Sequence, residues 1–176
     1  MPINFDLSKY KNELFIETGT LYGGGTKKAL EAGFDFVCTI EIHPKYYNIS
    51  QKNLAKEIEE EKACMFLADS KEALENILPD IDVKFTIFLD AHWHKNREGM
   101  DCSPLYGELD ILKKYPKYID TILIDDKRML GRRSWGKTIE FDKVLEKLKE
   151  INPDFFIMYE TGLIEDDIIV ATLKKE

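Results

Sequence analysis

Apolar residues along this chain fall in short, nearly unbroken runs separated by segments with a helical period. LFIETG (14–19), FVCTIEI (36–42), CMFLAD (64–69), FTIFLDAH (85–92), DTILIDD (120–126), DFFIMYE (154–160) and DIIVATLK (167–174) read as seven strands. Between them, residues 26–32 form a helix stopped by Gly33, and Pro44 opens one that carries Tyr47, Leu54 and Ile58 on a single face. Asp69 or Ser70 caps a short helix with Ala73, Leu74, Ile77 and Leu78 inward. Ser103-Pro104 starts another with Leu105, Leu109 and Leu112 in line, and Phe141, Val144, Leu145, Leu148 and Ile151 mark the clearest amphipathic helix. Strands that are apolar throughout belong in a parallel sheet covered on both faces. The last two runs leave no room for a helix between them, so they pair as a hairpin and one of them runs antiparallel. The pattern predicts a doubly wound α/β domain spanning 1–176, with a mainly parallel sheet and a terminal antiparallel hairpin.

Composition narrows the function classes. A chain of 176 residues is long enough to bury roughly 70% of its unfolded surface as one domain. Its net charge of -8 argues against a general nucleic-acid binder. There is no signal-like leader and no apolar run of the ~18 residues that a membrane span needs, so a cytoplasmic location and no membrane partner are expected. The three cysteines match no framework spacing, and Cys38 and Cys64 lie in apolar runs, which predicts reduced buried thiols.

The densest chemical signal is LFIETGTLYGGGT, residues 14–26: a strand entering a glycine-rich turn that opens a helix. Gly19 and Gly24 have P-loop spacing, but Gly25 stands where the lysine should be. The dinucleotide pattern G-x-G-x-x-G fails as well, because Thr20, Leu21 and Tyr22 follow Gly19. The run ETGTLYGGGT, followed by VCTIEIHP, resembles the nucleotide-binding half of class I S-adenosylmethionine (SAM) dependent methyltransferases, whose sheet is Rossmann-like. Glu41 follows Gly19 by 22 residues, close to the ~20 that one strand-helix-strand unit requires. The resemblance implies a cofactor site made of Glu17, Thr18, Gly19, Gly23, Gly25 and Thr26 around the turn, with Glu41 and Ile42 on the ribose side. It also implies Asp69 and Ser70 at the adenine and Asp90 near the methionine amine; Asp69 has the further option of simply capping its helix.

Asp90, Asp125 and Asp126 end two adjacent strands. Such carboxylates repel unless a cation or hydrogen-bond donors intervene, and oxygen ligands of this kind suit Mg²⁺, Mn²⁺ or Ca²⁺. FLDAHWH, PLYGELDIL and ILIDD resemble metal-dependent small-molecule O-methyltransferases and cephalosporin-hydroxylase-like relatives, which implies a divalent ion on Asp90, Asp125 and Asp126. Catechol-type enzymes have Asp-Asn where this chain has Asp-Asp, and a metal-free site in which the acids cap helices or bind SAM stays open. His92 is a candidate general base beside Asp90 and Asp125. A zinc site of His92, His94 and Cys102 lacks a recognisable fourth ligand. His94 and the basic loop KRMLGRRSWGK, with Arg128, Arg132, Arg133 and Trp135, suggest an anionic acceptor group. These readings converge on a SAM-dependent O-methyltransferase acting on a small polar or anionic acceptor, possible Mg²⁺ assistance included. The alternatives are a SAM or nucleotide binding module without turnover and a nucleic-acid methyltransferase. Assembly is left open, a homodimer included.

Overall fold

The computed structural model describes residues 3–92, 103–132 and 139–173. Among these, strands β1 (Leu14–Thr18), β2 (Phe36–Glu41), β3 (Ala63–Leu67), β4 (Phe85–Leu89), β5 (Ile119–Ile124), β6 (Phe156–Glu160) and β7 (Ile168–Thr172) form one sheet in the order β3-β2-β1-β4-β5-β7-β6. β1 to β5 are parallel, and β7 runs antiparallel to both β5 and β6, as the hairpin pattern requires.

Helix-covered faces explain the apolar runs residue by residue. Phe15, Phe88, Leu123 and Val170 point into a core shared with helix α1 (Gly24–Glu31) and the N-terminal turn carrying Leu7 and Tyr10. Their neighbours Ile16, Ile87, Ile122 and Ile169 point the other way, into the core under α4 (Ser70–Ile77), α5 (Leu105–Leu112) and α6 (Phe141–Ile151). Adjacent strand residues face opposite sides, so two dry faces demand two apolar residues in succession.

The long helix expected after Pro44 is divided into α2 (Pro44–Asn53) and α3 (Ala55–Glu59). Leu54, at the break, is fully buried, and its Cγ lies where a Cβ on Gly23 would be only 2.8 Å away. Burial of Leu54 under the glycine turn therefore outweighs helix continuity. Strands β4 and β5 stop at Leu89 and Ile124, earlier than the apolar runs suggest, so the acids that follow belong to loops. Cys38 and Cys64 are free, half-buried thiols with their Sγ atoms 3.0 Å apart across β2 and β3. No helix among the described residues is long and apolar enough to cross a membrane.

Leu54→Ala should cost about 2–5 kcal/mol of stability, because it leaves a cavity beneath the turn as well as losing buried surface. Chemical denaturation of the two proteins measures this, and a difference under about 0.5 kcal/mol would mean that the turn does not rest on Leu54.

Candidate active site

The strand order reverses between β1 and β4, and the glycine turn sits at the carboxyl end of that junction. The Gly19 and Thr20 amides both donate to the Ile40 carbonyl (2.9 and 3.2 Å), and the Asp90 amide donates to the Thr18 carbonyl (3.1 Å). Gly19 has φ +89°, and a Cβ there would lie 2.8 Å from the Asp90 carbonyl oxygen, so only glycine lets the turn touch β4. Leu21 also takes a left-handed φ of 50°. Its amide donates to Glu41 Oε2 (2.9 Å), while Glu41 Oε1 accepts from the His43 amide (2.8 Å). Glu41 thus ties the turn to the end of β2. His43 caps α2, accepting from the Lys45 amide at 3.2 Å.

Glu17 lies under the turn. Its Oε2 accepts from Thr26 Oγ1 (2.8 Å) and Thr39 Oγ1 (2.7 Å), and a Cβ on Gly25 would fall 1.8 Å from its Oε1. Burial pushes Glu17 up to about 7, against the pull of the two threonine hydroxyls. Glu17, Thr18 and Thr26 are all buried and support the turn from below.

A second group of polar residues lies where β4 and β5 end. The Asp125 amide donates to the Leu89 carbonyl (3.1 Å), which sets Asp125 beside Asp90. Burial, and then the charges of Asp90 and Asp126, raise Asp125 to about 7; burial is also the main cause of a value of about 7 at Asp90. The two carboxyls are hydrogen-bonded to each other, so they titrate as a pair rather than one by one. Asp126 has φ 61°, and its amide donates to Asp125 Oδ1 (2.7 Å). His92 stands between the two acids, with Nδ1 3.6 Å from Asp90 Oδ1 and Nε2 3.5 Å from Asp126 Oδ2. Arg128, expected at the acceptor, pairs with the acids: Nη2 lies 2.5 Å from Asp126 Oδ1 and Nη1 pairs with Asp167 Oδ2. The planar guanidinium meets both carboxylates at once, which offsets part of the cost of burying them.

The sequence reading missed Glu108 of α5, which is 1% exposed and raised to about 7 chiefly by burial, the hydroxyls of Ser70 and Thr18 acting in the opposite direction. Its signal was available, because Glu108 falls on the stripe of Leu105, Leu109 and Leu112, where a charge is out of place. Asp90, His92, Ser103, Glu108 and Asp125 line a pocket with about 10 Å³ of free space, the scale of one water.

Of the other expected residues, Ile42 is 44% exposed beside Glu41, and Asp69 caps α4 by accepting from the Lys71 amide (2.9 Å), with Ser70 buried behind it. Arg132 is exposed. His94, Arg133 and Trp135 lie outside the described residues.

No protein-family model matches the sequence, and no curated protein does. Solved structures do. SAH-bound methyltransferase PaMTH1 from Podospora anserina superposes with a TM-score of 0.67 at 15% identity, over 96% of this chain and 75% of that one. A proposed rRNA methylase from Clostridium thermocellum gives 0.61 at 15% identity, covering 90% and 86%. A proposed caffeoyl-CoA O-methyltransferase from Staphylococcus aureus gives 0.60 at 17%, covering 92% and 76%. The chain has the class I methyltransferase fold. Within that methyltransferase fold, the glycine turn and the acids at the ends of β2, β4 and β5 share one edge of the sheet.

Two outcomes follow from this geometry. Glu17, Asp90, Glu108 and Asp125 keep protons to about pH 7 when folded, whereas their ordinary values are 3.8 for Asp and 4.5 for Glu. The folded state therefore binds more protons than the unfolded chain between those limits, and stability is greatest below about pH 4 for these groups and declines as pH rises through about 7. The melting temperature should fall by several degrees from pH 5 to pH 8, and Asp125→Asn should flatten the slope; a rise over that interval would contradict the assignment. Gly25→Ala should destabilise by about 1–3 kcal/mol through overpacking on Glu17. Adding Glu17→Ala should recover part of that loss, a coupling that a double-mutant denaturation cycle measures and that independent, additive costs would refute.

Proposed function

We propose that this protein binds SAM across the glycine turn and transfers its methyl group to a hydroxyl of a small polar or anionic acceptor. The observation that carries the reading is the glycine turn at the β1/β4 switch, where Gly19 packs on the Asp90 main chain and Glu41 holds the Leu21 amide at the end of β2. Each Glu41 oxygen accepts one amide and keeps a lone pair, so the carboxylate can still take both hydroxyls of a ribose. Exposed Ile42 offers an apolar flank for adenine, Asp69 and Ser70 offer polar groups for its amino edge, and Asp90 offers a carboxyl for the methionine ammonium.

Methyl transfer from a sulfonium is an in-line displacement. The acceptor oxygen forms its bond to the methyl carbon as the carbon–sulfur bond breaks, its electron pair stays on sulfur, and SAH leaves. Positioning is most of the catalysis. His92 is placed to take the acceptor proton, and the resulting imidazolium would lie between the carboxylates of Asp90 and Asp126. Asp90, His92 and Asp126 offer donor atoms within 4.8 Å of one another, with Asp125 alongside, a set that fits a divalent cation such as Mg²⁺ or Mn²⁺. When bound, such an ion supplies a Lewis acid that makes an acceptor hydroxyl easier to ionise. Arg132, exposed on the loop after β5, is the residue this reading assigns to an anionic group on the acceptor.

Glu41→Ala should weaken SAH binding by about tenfold or more, the worth of charge-assisted hydrogen bonds to a ribose diol, as read by calorimetry. Arg132→Ala should raise the acceptor KM and leave SAH affinity unchanged. Unaltered SAH binding in Glu41→Ala would remove the assigned register, and steeply salt-dependent RNA binding by the wild type would replace the small acceptor with a nucleic acid.

A further inference from the structure

The strand pair that leads to Glu41 and Asp69 holds a reactive group that the cofactor site does not use. Cys38 of β2 and Cys64 of β3 are direct partners in the parallel register. Neighbouring strands lie about 4.8 Å apart, inside the ~4.4–6.8 Å between Cα atoms that a disulfide spans. The two Sγ atoms are 3.0 Å apart, so closing to the ~2.05 Å of a sulfur–sulfur bond needs a movement of about 1 Å. Both thiols are free, and both are half-buried rather than sealed in the core.

Two features of the fold favour that closure. β3 is an edge strand, paired with β2 in the described sheet, so a small shift of β3 breaks no second ladder. The thiols also polarise each other. Their mutual hydrogen bond is the first cause of both shifts: it holds Cys38 up, where burial adds to the rise, and draws Cys64 down against the effect of burial. Thiolate, the form that attacks a disulfide, therefore gathers on Cys64 with Cys38 in reach.

We propose that Cys38 and Cys64 form a thiol–disulfide exchange site, which a small-molecule disulfide of the glutathione class closes into a reversible staple between β2 and β3. The Cys64 thiolate attacks one sulfur of the oxidant RSSR, and a mixed disulfide forms as one RS⁻ leaves and takes up a proton. Cys38 then gives up its proton and attacks the Cys64 sulfur, and the second RS⁻ leaves with that proton. The pair loses two electrons and two protons in all, and the oxidant becomes two RSH. The bridge closes the chain between residues 38 and 64, which restricts the unfolded state and so stabilises the folded one. The Ala68 amide, just beyond β3, donates to the Glu41 carbonyl (3.2 Å), so the staple and Glu41 belong to the same strand pair.

The test treats the full reduced chain with oxidised glutathione, blocks the remaining thiols by alkylation and maps the cysteines by mass spectrometry. Wild type should become lighter by two hydrogens with a Cys38–Cys64 linkage, and dithiothreitol should restore both thiols. Cys38→Ser keeps a hydroxyl that can donate to Cys64 but cannot displace the mixed disulfide, so this variant should accumulate a glutathione adduct at Cys64. The bridged wild type should melt several degrees above the reduced chain, a gain that Cys38→Ser lacks under the same treatment. Thiols at 38 and 64 that stay open to alkylation, separate lasting adducts on the wild type, or a bridge to Cys102 in place of the expected linkage would overturn the proposal. So would an adduct-free Cys64 in Cys38→Ser, or a bridged protein that melts no higher than the reduced one.

Discussion

Parallel strands joined side by side by main-chain hydrogen bonds impose one constraint on everything at the carboxyl edge: whatever residue follows each strand is held beside its neighbour. The Asp90 amide on the Thr18 carbonyl and the Asp125 amide on the Leu89 carbonyl leave those acids no freedom to separate. Like charges confined in this way must be neutralised where they stand. Three features serve this: burial raises the proton affinity of Glu17, Glu108 and the Asp90–Asp125 pair, Arg128 pairs with Asp126 and Asp167, and His92 stands between Asp90 and Asp126.

Those means differ in what they permit. A guanidinium held by two buried carboxylates is a fixed brace, since removing either partner strands a charge. A shared proton is replaceable by a cation or by a donor on a ligand. The division runs through the site itself. On one side Arg128 anchors the loop after β5 to the loop before β7; on the other, Asp90, Asp125 and Glu108 retain an exchangeable charge around a small pocket. The glycine turn follows the same logic of close approach. Gly19 and Gly25 give up their side chains so that β4 and Glu17 can come near, and buried Leu54 fills the space beneath Gly23.

Much of this architecture was legible in the sequence, because paired apolar residues such as Phe15-Ile16 and Ile122-Leu123 carry the two-faced sheet directly, and the missing helix before Ile168 carries the hairpin. The acids that end the strands were legible for the same reason: a strand end fixes position. Side-chain direction was not. Nothing local tells Arg128 to fold onto Asp167, which lies 39 residues away in sequence, or tells Glu17 to turn under Thr26. The break at Leu54 depends on a contact with Gly23 that helical periodicity cannot register. Glu108 was visible as a charge on an apolar stripe, and its meaning required the neighbouring strands.

The central claim, that the carboxyl edge of this sheet is a SAM site, is tested most directly by equilibrium dialysis of labelled SAM against the wild-type chain in the presence of competing nucleotides. The account predicts one saturable site from which SAH displaces SAM and ATP and NAD do not. Saturable binding of ATP or NAD without binding of SAM would contradict it.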